Sequence, residues 1–93
     1  MATKAAAMGS LHWAAHAVDT AIGALRAEPT SRAVTDALHR AEVAVSALPS
    51  GLVSTTLGRL VDTAWDCHLA GQDSSARLVA QRGAAARAMR LAS

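Results

Sequence analysis

Two histidines one helical turn apart are the first residues of this chain that could do chemistry. His12 and His16, in His12-Trp13-Ala14-Ala15-His16, have the i,i+4 spacing that puts two imidazoles on one helix face, as two metal ligands would stand. Met8 extends the row by one turn. A metal site needs a third and usually a fourth ligand, and His39 or the Cys67-His68 pair can supply them only from other segments. No glutamate follows His12, so the zinc-protease helix motif is absent. The plainer reading is two polar residues flanking an apolar stripe beside Trp13. There is no glycine-rich phosphate loop and no Gly-x-Ser-x-Gly turn, and no local pattern pairs a nucleophile with a base. The expectation is a chain that is not an enzyme and needs no cofactor.

Recognition chemistry has more to draw on. Trp13 and Trp65 are the only Phe, Trp or Tyr residues, and each stands just off the centre of its apolar stripe. They either close the rim of a core or anchor a partner, a role in which tryptophan is enriched. The last stretch carries Arg77, Arg82, Arg87 and Arg90 with no acid after Asp73. Cations late in a helix suit its dipole, and they would also suit an acidic partner groove, anionic lipid or nucleic acid. Their helical angles scatter around more than half the helix, a poor stripe for tracking phosphates. A helix-turn-helix reading with Gly71 in the turn puts Gln72 and Arg77 where apolar residues belong. Both points argue against nucleic acid.

What must position these residues is one small domain of 93 residues with a formal charge of +2. Alanine accounts for 24 of the 93 positions, with ten Leu, seven Val and one Ile, and no Phe, Tyr or Asn. Such a composition favours helix and gives little large apolar surface, whereas a sheet protein would need more β-branched and aromatic residues. The single cysteine, Cys67, excludes an internal disulfide and asks for no oxidising compartment. The longest charge-free stretches, Ala5–Val18 and Val43–Gly58, fall short of the roughly 18 apolar residues of a membrane span. The opening residues lack the leucine-rich centre of a secretory signal, so the expected location is the cytoplasm, or outside it by a route without a cleaved signal.

Three breaks divide the chain: Ala27-Glu28-Pro29-Thr30-Ser31, Leu48-Pro49-Ser50-Gly51 and Ala70-Gly71-Gln72-Asp73-Ser74. Proline disfavours helix at the residue before it, Thr or Ser can cap the next helix, and Gly71 is placed to end one helix with Asp73 or Ser74 capping the following one. Helices are expected near 4–27, 31–48, 52–70 and 74–92. The first has Met8, Leu11, Ala15, Val18, Ile22 and Leu25 at alternating three- and four-residue spacing, and the second Val34, Leu38, Ala41, Val45 and Leu48. The third has Val53, Leu57, Leu60, Ala64 and Cys67, widened by Val61, Trp65 and Leu69. The fourth is weaker, with Leu78, Val79, Ala86 and Met89 and with Arg82 intruding. Short breaks favour antiparallel neighbours, hence an all-α bundle of two helical hairpins. Alanine at the seams lets helix axes approach closely and leaves a thin core, which a protein partner or a homodimer would complete.

Two resemblances attach to these patterns. Leu60, Ala64, Gly71, Ala76 and Ala80 match the small-residue spacing of one tetratricopeptide hairpin, although Cys67 and Asp73 stand at its aromatic positions and no second copy follows. The length, the two-hairpin layout, Leu57-Gly58 ahead of Trp65 and the alanine-rich last segment resemble the small helical proteins associated with actinobacterial type VII (ESX) secretion. The second resemblance implies a non-catalytic helical protein, often dimeric, that is exported without a cleaved signal or acts with such substrates. The chain departs from that family in having no Trp-x-Gly turn and no tyrosine for an export motif. The function expected is a helical protein–protein interaction module. The alternatives are a metal- or ligand-responsive protein built on His12 and His16, and a nucleic-acid regulator using the arginines of the last helix.

Overall fold

The structure, a computed structural model, describes the backbone of residues 2–92 and the side chains of residues 10–92. Four helices follow one another: α1 (Ala2–Ala27), α2 (Arg32–Ser46), α3 (Leu52–Leu69) and α4 (Ala76–Ala92). No strand occurs among the described residues. The three breaks expected from the sequence are the three connections, and each sets a helix boundary by a distinct device. At the first, Ser31 takes an extended conformation and its side chain accepts from the Ala33 N–H at 3.1 Å, capping α2. At the second, the Ser54 hydroxyl accepts the Gly51 N–H at 3.1 Å and so holds the entry to α3.

At the third connection Gly71 has φ of +68°, the left-handed conformation that a side chain would strain. Its N–H bonds the His68 carbonyl at 3.1 Å and the next N–H, of Gln72, reaches back to Cys67 at 2.8 Å, the paired bonds of a Schellman cap. The cap of α4 is neither Asp73 nor Ser74. Ser75 serves instead, accepting from the Leu78 N–H at 3.1 Å, so the helix starts two residues later than its sequence suggests.

The helices pack unequally. α1 and α2 make the broadest interface, where Ala14, Ala21, Ala37, Ala41 and Ala44 are buried between larger neighbours such as Val18, Leu25, Val34 and Leu38. Ala14 and Ala21 are seven residues apart, as are Ala37 and Ala44, so small side chains recur along both facing stripes and permit close approach. α3 touches all three other helices, which explains why its apolar arc is the widest. α4 rests on α3 alone, and none of its Cα atoms comes within 8 Å of one in α1 or α2 among the described residues. The fold is the expected all-α bundle of two helical hairpins, α1–α2 and α3–α4, joined chiefly through α2 and α3.

Several stripe positions depart from expectation. Leu48 lies beyond the end of α2 and is half-buried, while Leu69 and Val79 are 78% and 65% exposed. Leu69 belongs to the last turn of α3, where the chain has already turned toward the next connection. Val79 stands on the side of α4 that no helix covers. Met8 lies outside the residues whose side chains are described. α1, at 26 residues, is about 39 Å long against about 22 Å for the 15 residues of α2, so its N-terminal part overhangs the hairpin. No helix among the described residues is long and apolar enough to cross a membrane.

Candidate functional site

The candidate residues fall into three places, one closed and two open. The closed one is the seam between α2 and α3. His68 sits half-buried there, with Nδ1 2.6 Å from the Pro29 carbonyl and Nε2 2.8 Å from the Thr35 hydroxyl. A carbonyl only accepts, so Nδ1 carries the proton and Nε2 accepts from Thr35. One imidazole thus ties the end of α3 to both the α1–α2 connection and the start of α2. Trp65, one turn earlier, donates its indole N–H to Glu42 and stands edge-on to His39, ring centroids 5.0 Å apart, with the tilted His68 ring at 5.9 Å. Trp65 is therefore a rim residue of the bundle, bonded within the chain.

The other residues that could complete a metal site with His12 and His16 stand on α2 and α3. Both histidines are exposed on α1. The lone pair of His68 Nε2 is occupied by Thr35, and His68 lies beside Pro29, past the opposite end of α1, about 25 Å along the helix from His12. Cys67 is buried, with its thiol 3.6 Å from the Ser75 hydroxyl. His39 faces Trp65, 4.0 Å from a Glu42 carboxylate oxygen. Among the described residues no three His, Cys, Asp or Glu side chains gather as a metal would require. Trp13, between the two histidines, is 62% exposed and forms with them a polar-flanked aromatic face on α1. This is the first open place.

The second is the gap between α1 and α4. Because α4 leans only on α3, a groove of about 240 Å³ runs between the two helices, floored by Leu57 and Leu60 of α3 and walled by Ala15 and Val18 on one side and Ala85, Ala86 and Met89 on the other. A second, smaller hollow of about 130 Å³ is lined by Ile22, Arg26, Leu78, Val79 and Arg82, the last shared with the first. Arg82 and Asp19 meet across the gap at 3.8 Å, both of them largely open to water.

Arg82 is the one arginine of the four that lines the groove. Measured from Leu78, Arg82, Arg90, Arg87 and Arg77 stand at about 40°, 120°, 180° and 260° around α4, so they present no common face. The groove itself was not legible as a site. Its signals were the weak stripe of the last segment and the arginine intruding on it, which mark a helix whose apolar face is incompletely used. Comparison with known protein families, curated proteins and solved structures found no match to this chain.

Proposed function

We propose that the chain is a small non-catalytic helical module that binds another protein through the groove between α1 and α4. The observation carrying this reading is the seam between α1 and α4, where no Cα atoms of the described residues come within 8 Å and an exposed ion pair bridges the two helices. Val79, 65% exposed beside that seam, gains burial when a second element covers it. Adaptor or chaperone action in the cytoplasm fits a chain with one free, buried thiol. The resemblance to type VII secretion-associated proteins would instead have it exported with, or acting on, such substrates.

The test compares what co-purifies with the tagged chain and with Ala86→Glu, which puts a charge in the groove wall at a half-buried helical position. A partner recovered in fixed stoichiometry with the parent chain and lost with the variant, at unchanged helicity, supports the reading. Equal recovery by both, or no stoichiometric partner, refutes it. A second reading, self-association, draws on the exposure of Trp13: a homodimer seated there would dissociate on Trp13→Ala without loss of folding, as sedimentation would record.

A further inference from the structure

We infer that His12 and His16 form a two-imidazole chelate on the outer face of α1 for a late divalent transition-metal ion, Cu(II), Ni(II) or Zn(II), whose remaining ligands come from outside the chain. The inference does not depend on the groove between α1 and α4.

Helix geometry brings the pair together, and the core aims it outward. At i,i+4 the two residues stand about 40° apart around α1, with Cβ atoms about 5–6 Å from each other. Ala14 and Val18 lie at about 200° and 240° from His12 around the helix. They are 0% and 2% exposed. The inner side of α1 is therefore packed at this level, and both histidines stand exposed on the side facing solvent. Rings reaching out from such neighbours can each bring a nitrogen to the roughly 2.0–2.1 Å of a metal–imidazole bond.

The ring nitrogens are available. His68 has both of its own bonded, and His39 lies against Trp65 and Glu42. Neither His12 nor His16 has a bonding partner among the described residues. Asp19 follows His16 by three residues on the same strip of α1, but it is paired with Arg82 at 3.8 Å, so the imidazoles carry the site. Imidazole nitrogen selects copper, nickel and zinc over magnesium and calcium, which take oxygen ligands. No third His, Cys, Asp or Glu gathers with the pair among the described residues. The rest of the coordination shell is then water, or the same pair from a second copy, which would give zinc its four ligands.

The experiment titrates the tag-free whole chain with Cu(II), Ni(II), Zn(II) and Mg(II) by calorimetry at neutral pH, and locates the site by zinc-induced NMR shifts of the histidine ring protons. Cu(II) should bind most tightly and Mg(II) not measurably. Zn(II) should shift His12 and His16 together and leave His39 and His68 unmoved. His12→Ala or His16→Ala should each weaken Cu(II) binding by about a hundredfold at unchanged helicity, because the second imidazole acts as a tethered ligand. His16→Ala combined with Thr20→His keeps the number of histidines but sets the two about 12 Å apart along the helix. That variant should bind no better than His16→Ala alone.

Binding by the double variant equal to that of the parent chain would overturn the inference. So would zinc shifts centred on His39 or His68, a loss of less than about threefold on His16→Ala, or a Cu(II) Kd weaker than about 0.1 mM. Sedimentation with zinc distinguishes the sources of the remaining ligands. An unchanged mass at one ion per chain assigns them to water, and a doubled mass at one ion per two chains assigns them to a second copy.

Discussion

The two outer seams of this bundle are built on opposite principles. Between α2 and α3, side chains cross the gap and bond: His68 to Pro29 and Thr35, Trp65 to Glu42, with His39 against the indole ring. Between α1 and α4 no Cα atoms of the described residues come within 8 Å, and Arg82 and Asp19 span the opening at 3.8 Å in contact with water. The first arrangement spends its polar groups on one another and leaves little for a ligand. The second leaves a charged rim in water above an apolar floor that is itself buried. In a chain with 24 alanines, the few large or hydrogen-bonding side chains cannot close every seam, and where they are placed decides which side of the molecule stays open.

The sharpest way to break this contrast is at Trp65. Trp65→Ala removes the ring from between His39 and His68 and leaves Glu42 without its donor, so a loss of about 3 kcal/mol is expected. In a domain of this size that corresponds to a fall of roughly 15 °C in the melting midpoint. Trp13→Ala, at an exposed position, should change stability by less than about 0.5 kcal/mol. Equal effects at the two tryptophans would mean that Trp65 is not a seam residue. The next effect in size is at His68. His68→Ala strands the Pro29 carbonyl and the Thr35 hydroxyl, at a cost of about 2 kcal/mol by thermal or urea melting. Thr35→Val, which removes one of those two bonds, should cost about half as much.

The unequal legibility of these seams has a physical origin. The four helices could be read from the 3-4 spacing of apolar residues and the three breaks, because both are local properties of the chain. Gly71 was readable for the same reason: a helix end that needs positive φ selects glycine. The cap of α4 was not, since Asp73, Ser74 and Ser75 all have a suitable oxygen and only the path of the connection selects Ser75. The bonds of His68 join residues 33 and 39 positions apart, and no periodicity encodes them. The groove is harder still to read. It is a wider spacing between two helices, and a stripe shows which face is apolar without showing how closely another helix covers it.

On α4 the contrast can be sharpened from within. Gln81 stands three residues after Leu78 and four before Ala85, on the face turned to α3, and its Oε1 is buried with no hydrogen-bond partner among the described residues. A buried acceptor left unpaired costs about 1–3 kcal/mol. Gln81→Leu should therefore raise stability by about 1 kcal/mol, seen as a higher urea midpoint with an unchanged slope. A loss on that substitution would show the amide to be bonded, and α4 to be better anchored than its sparse apolar residues imply.

The smallest expected effect is the most discriminating. If the Arg82–Asp19 pair closed the α1–α4 seam as the Trp65 cluster closes the opposite one, a double-mutant cycle on the two residues would give a coupling well above 1 kcal/mol. Both side chains are about half exposed or more, at 48% and 67%, so water and salt screen the pair. The coupling expected is about 0.3 kcal/mol, vanishing in high salt. Arg82→Ala should lower stability slightly more than Asp19→Ala, because both line the groove and the arginine has the longer apolar stem. That asymmetry would persist at high salt, whereas the coupling would not. A large, salt-resistant coupling would instead make the ion pair a structural clasp, and the groove beneath it a closed seam rather than a place for a partner.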